Sequence, residues 1–65
     1  MGTLNTLYLL DHDGFELAKD AKVTIAQGKK IAARLLADTG EYPDAHRAEI
    51  RRNSDNECIW DSFRR

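Results

Sequence analysis

The sequence predicts a two-layer α+β domain: two β-hairpins forming a four-stranded antiparallel sheet, with one amphipathic helix packed on one face, in ββαββ order. Three observations predict it. An Asp-Gly turn signal separates two stretches of β-forming residues, a helix with both start and stop signals follows, and a cluster of turn formers divides the remaining β-rich segment.

The first hairpin lies in "TLYLLDHDGFELAK", residues 6–19. Asp13-Gly14 suits a two-residue turn whose central residues need positive φ, and a four-residue loop from Asp11 to Gly14 is the alternative. Both loops have even length, so both place Tyr8, Leu10, Phe15 and Leu17 on one face and Leu7, Leu9 and Ala18 on the other. The first set is expected to meet the helix. The second face is then also partly apolar, which points to a partner.

The helix is expected over roughly 25–39, in "TIAQGKKIAARLLADTGEYP". Thr24 followed three residues later by Gln27 makes a capping box. Gly40 and then Pro43 supply the stop. At ~100° per residue, Ile25, Gly28, Ile31, Ala32, Leu35 and Leu36 fall within an arc of about 140°. Gln27, Lys30, Arg34 and Asp38 face water. Gly28 costs up to ~1 kcal/mol relative to alanine inside a helix. On the apolar face it would allow a strand to come close.

After Pro43, Arg47, Glu49 and Arg51 alternate with Ala48 and Ile50, the period of a half-buried strand. "NSDN" at 53–56 is a turn cluster, and "ECIWDSF" is a second strand. A three-residue loop would align Ala48, Ile50, Cys58 and Trp60, whereas a four-residue loop would pair Ile50 with Ile59. A short helix from Asp44 to Arg52 is the competing reading. It would bury little more than Ala45, Ala48 and Ile50. Trp60, the sole tryptophan, is expected against Ile31 and Leu35.

Sixty-five residues make one small domain spanning 1–65. Such a chain buries only about 60% of its unfolded surface, leaving little room for a deep substrate pocket inside a core. A binding module, or a subunit that gains burial by dimerising, is expected rather than an enzyme. The single cysteine, Cys58, allows no internal disulfide and no paired-cysteine zinc spacing, which suits a reducing cytoplasm. "LYLL" is too short for a membrane span. "MGTLNT" fits a myristoylation pattern through Gly2 and Thr6, but no basic patch follows to complete an anchor, so a start residue and a small neighbour are the simpler reading.

Chemical candidates are few. The acids and histidine of "DHDG" at 11–14 lack the further ligands that calcium or zinc would need, so they read as a turn. His46 and Cys58 have no third residue to orient the histidine as a base. No phosphate loop, nucleotide fingerprint or paired-carboxylate site is present, and neither a cofactor nor a small-molecule substrate is expected.

Two surfaces remain. Leu7 and Leu9, with Ile59 and Phe63, are the candidate protein interface on the second sheet face, serving a protein partner or a homodimer in some regulatory role. Arg47, Arg51, Arg52, Arg64 and Arg65, with Lys30 and Arg34, are the candidate contacts for RNA or DNA. The net charge of −1 opposes the second reading, because nucleic-acid binders usually carry a clear basic excess. Across residues 44–65, five arginines meet five acids.

Overall fold

The computed structural model describes residues 4–37 and 40–63. Its elements are β1 (Asn5–Leu10), β2 (Glu16–Val23), α1 (Ile25–Ala37), β3 (Arg47–Arg52) and β4 (Cys58–Asp61). They form one four-stranded antiparallel sheet in the order β2-β1-β3-β4, with α1 across one face. The predicted ββαββ architecture is the observed one. Because β1 runs antiparallel to both neighbours, β2 and β3 are parallel and α1 is the crossover between them. Residues 44–52 hold a strand, not a helix: Ala45 N donates to the Tyr42 carbonyl in a turn, and β3 starts two residues later. Gly2, Arg64, Arg65 and the expected helix end at 38–39 lie outside the described residues.

The first loop has three residues, not two or four. Gly14 N donates to the Asp11 carbonyl at 3.1 Å, Asp11 N donates to the Phe15 carbonyl at 3.0 Å, and Gly14 takes φ 87°. This is a turn closed by a left-handed glycine. The Asp11 carboxylate clamps it by accepting from Asp13 N and Phe15 N. Phe15 is left outside, 69% exposed.

The odd loop pairs Leu10 with Glu16, and a register shift then brings Leu9 opposite Ala18 and Tyr8 opposite Lys19. Leu17 is the extra residue of a β-bulge, so past it the register is that of a two-residue turn. Leu7, Leu9 and Ala18 therefore do share a face. The assignment of that face is the correction: it lies under the helix, with Leu7 and Leu9 buried in the core and Tyr8 on the opposite side. The reason lies in the neighbouring strand. Leu7 pairs with Ile50 and Leu9 with Ala48, whereas Tyr8 pairs with Glu49 and Leu10 with Arg47. Only the first set makes an apolar face across two strands.

The helix fits that face through small residues. Thr24 and Gln27 form the capping box, the Gln27 side chain accepting from Thr24 N at 3.1 Å and the Thr24 hydroxyl from Gln27 N at 3.2 Å. Gly28 and Ala32 are the buried helix positions, with Ile31, Leu35 and Leu36 half-buried against the same core. A Cβ at Gly28 would lie 2.6 Å from Ile50 Cδ1 and 3.5 Å from Val23 Cγ2. The glycine is what lets α1 come this close to β3. Ile25, expected on the apolar side, is instead exposed at the helix start.

A four-residue loop joins β3 and β4. Arg52 N donates to the Glu57 carbonyl, Asn56 N to the Arg52 carbonyl, and Asn56 takes φ 60°. Such a loop alone would pair Ile50 with Ile59. A second bulge intervenes, so Arg51 faces Cys58 and Ile50 faces Trp60. Ile59 and Trp60 are both half-buried against the core. In the same loop Asn53 ties the far strands together, its amide nitrogen donating to the Ala21 carbonyl and its amide oxygen accepting from the Thr6 hydroxyl.

Candidate interaction surface

With α1 on one side, the opposite face of the sheet is without a second layer among the described residues. Its side chains follow from the register. Lys19 of β2, Tyr8 of β1, Glu49 of β3 and Asp61 of β4 form one row across all four strands. Glu16, Leu10 and Arg47 form the next, and Thr6, Arg51 and Cys58 a third. Phe63, just past β4, extends the second row: the Arg47 guanidinium carbon lies 5.9 Å from its ring centroid. At this end the rings continue, with His46 5.6 Å from Phe63 and stacked on His12 at 3.9 Å.

At the centre sits Glu49, only 4% exposed although no helix covers it. Arg47 and Arg51 flank it on the same strand face and enclose it. Arg47 Nη2 pairs with one carboxylate oxygen, and Arg51 reaches the other through Nε at 3.2 Å and Nη2 at 2.9 Å. Arg51 Nη1 also donates to the Asn56 carbonyl. One carboxylate thus fixes two long cations flat against the sheet, where otherwise they would wave in solvent. Among the described residues of these rows, the acids Glu16, Glu49 and Asp61 equal the bases Lys19, Arg47 and Arg51 in number.

The residues predicted as interfaces are dispersed by the fold. Leu7 and Leu9 belong to the core, and Ile59 packs half-buried beside them. Phe63 is 62% exposed at the rim of the open face. Among the predicted nucleic-acid contacts, Arg47 and Arg51 share Glu49. Arg52 pairs with Asp55 at 3.5 Å and Glu57 at 2.8 Å. Lys30 and Arg34 stand on the exposed back of α1, on the other side of the molecule. Arg64 and Arg65 lie outside the described residues.

Sequence reading missed Tyr8, Lys19 and Asp61 as neighbours of Glu49. The alternation of Arg47, Glu49 and Arg51 was the available signal: carried across the ladder from β3 to β1, it places Tyr8 on the polar face. His46 and Cys58 are not brought together. Cys58 pairs with Arg51, five residues along β3 from His46, about 17 Å at strand rise. Its thiol instead donates to the Trp60 carbonyl at 3.4 Å. Among the described residues no group of three or more His, Cys, Asp or Glu is arranged to hold a metal ion, and no helix is long and apolar enough to cross a membrane.

No protein-family model matches the chain, and neither a curated protein nor a solved structure is detectably similar to it.

Proposed function

We propose that this protein is a non-enzymatic cytoplasmic module that recognises another protein through the open face of its sheet. The observation that supports this reading is the pre-ordered cluster of Arg47 and Arg51 on Glu49, with Tyr8 and Phe63 beside it on the face that α1 does not cover. Tyrosine and arginine are the residue types that most often anchor protein interfaces. Holding the two arginines on Glu49 before binding lowers the ordering cost of association, which is about 0.5–1.5 kcal/mol per rotamer-rich side chain.

Both sheet edges are poor docking sites by comparison. β2 carries two register shifts and exposed Lys19 and Lys22. β4 has four residues and a bulge. Short, charged and bulged edges resist the addition of a further strand. Binding of a polyanion would draw on an excess of cations, and the described residues of the open face have none. Its arginines would have to leave Glu49 to reach a phosphate.

The test compares capture by the tagged wild-type chain with capture by a Tyr8→Ala/Phe63→Ala variant and a Lys30→Glu/Arg34→Glu variant, each shown folded by circular dichroism. A protein retained by the wild type and the helix-back variant, and lost by the open-face variant, is expected. Capture unaffected by the open-face changes would overturn the reading. So would tight binding of mixed oligonucleotides, with log affinity falling steeply and linearly in log salt.

A further inference from the structure

We propose that the cleft between β2 and α1 is a second interaction site, which takes an acidic segment of a partner protein and seats one of its aliphatic side chains. It lies on the helix side of the sheet and shares no residue with the open face.

The cleft follows from where the helix lands. α1 packs chiefly on β1 and β3, so the edge strand β2 is left partly unroofed. A register shift adds to the gap: Asp20 pairs with Leu7 and Val23 with Asn5, three residues of β2 against two of β1. The opening measures about 320 Å³ and is lined by Asp20, Lys22, Val23, Gln27, Lys30 and Ile31. Val23 is buried in the core and Ile31 half-buried against it, so the floor is aliphatic. Lys22 on β2 and Lys30 on α1 are both exposed, one on each wall.

The rim is set up to donate. Among the described residues, the ion pairs belong to Arg47, Arg51 and Arg52 of β3, and no acid pairs with Lys22 or Lys30. The capping box commits the Gln27 amide oxygen to Thr24 N, which leaves the amide nitrogen to donate outside the helix. The one acid, Asp20, holds a carboxylate oxygen on Lys22 N at 3.3 Å. Two ammonium groups and an amide donor over an aliphatic floor complement an apolar group with carboxylates on either side of it.

The shape decides between a free molecule and a chain. Small ligands are held where about 70–90% of their surface is buried, and this cleft is open to solvent. A polypeptide instead presents one side chain to the floor while acids before and after it reach the two walls. Such docking uses side chains alone and needs no strand added to the bulged edge of β2. Nucleic acid is a poorer fit, because unpaired bases stack on aromatic rings and none lines the cleft.

The test titrates the full chain with the blocked peptide Asp-Glu-Leu-Glu-Asp, followed by amide chemical shifts. Saturable binding below about 1 mM is expected, with the shifts centred on Val23, Gln27 and Ile31. Serine in place of the leucine should weaken binding about tenfold, since the floor then buries no aliphatic group. Lys30→Glu should also weaken it about tenfold, whereas Lys29→Glu, the same charge change on the neighbouring exposed residue, should alter it less than about twofold.

Equal losses from Lys29→Glu and Lys30→Glu would overturn the inference, because they would show diffuse attraction to the helix rather than a seat in the cleft. Indifference to the leucine, no binding at millimolar peptide, or tighter binding of mixed oligonucleotides at the same residues would overturn it too. The open-face reading is judged separately. The Lys30→Glu/Arg34→Glu variant should keep the open-face partner and lose the peptide, and the peptide's failure leaves capture by the open face untouched.

Discussion

Replacing Gly28 with alanine sets two effects of known size against each other. In an isolated helix the change stabilises by about 0.8–1.0 kcal/mol, because glycine has more backbone freedom to lose. Here the new methyl would meet Ile50 Cδ1 at 2.6 Å and Cγ1 at 3.1 Å, with Val23 Cγ2 at an ordinary 3.5 Å. Cδ1 ends a flexible side chain, but Ile50 is fully buried, so turning it aside displaces other core atoms. Overpacking of this kind costs about 1–3 kcal/mol. The balance is a net loss of roughly 1 kcal/mol, or about 4–8 °C in Tm for a domain of this size.

The counter-experiment is Ile50→Val, which deletes the clashing Cδ1. Alone it should cost about 0.5–1.5 kcal/mol. Combined with Gly28→Ala, the new methyl fills the space that Cδ1 leaves. The double variant should then be more stable than the two single losses would sum to, by about 1 kcal/mol in a double-mutant cycle. Urea unfolding followed by Trp60 fluorescence measures all four proteins. A Gly28→Ala variant stabilised by the full helix-propensity gain, with additive behaviour in the cycle, would refute the close approach of α1 to β3.

The remaining predictions concern the cap, the indole and the central carboxylate. Thr24→Ala breaks the capping box and should cost about 1 kcal/mol in urea unfolding, with the loss confined to helix stability. Trp60→Ala removes a half-buried ring packed on the core beside Ile50 and should cost about 3 kcal/mol, the low end for such a truncation; wild-type emission should be blue-shifted, and red-shifted emission from a folded chain would contradict this placement. Glu49→Ala should cost only about 1–2 kcal/mol despite the burial of Glu49, because Arg47 and Arg51 are each about a third exposed and can swing into solvent, where screening weakens the lost ion pairs. A loss above about 4 kcal/mol would show the arginines trapped against the sheet.

Local chemistry carried most of the fold. Thr24 and Gln27 announce the helix start in four letters, and both side chains make the bonds the motif requires. Gly28 announces a close approach because nothing else justifies a glycine on the apolar arc. The face of β1 was not legible, since Leu7 and Leu9 against Tyr8 and Leu10 is nearly a tie in hydrophobicity. Phe15 and Leu17 broke that tie the wrong way. One sits in a turn and the other at a bulge, and neither site follows the two-residue period on which the inference rested.

That ambiguity belongs to the candidate surface as much as to the sheet. A 13-residue helix is about 20 Å long and 10 Å wide, so it can roof the middle strands but not wrap to the other side. The uncovered face must therefore be tolerable in water while its strands stay paired. Alternating polar residues achieve that on β3, while on β1 Leu10 is buried and Tyr8 half-buried. Laying Arg47 and Arg51 down over Glu49 shields the centre of the strand without adding net charge. A face built only for solubility would gain from unpaired charge of one sign, which also keeps chains apart. This one pairs its central charges along β3 and leaves Tyr8 and Phe63 at reach, the pattern that the proposed protein-binding role requires.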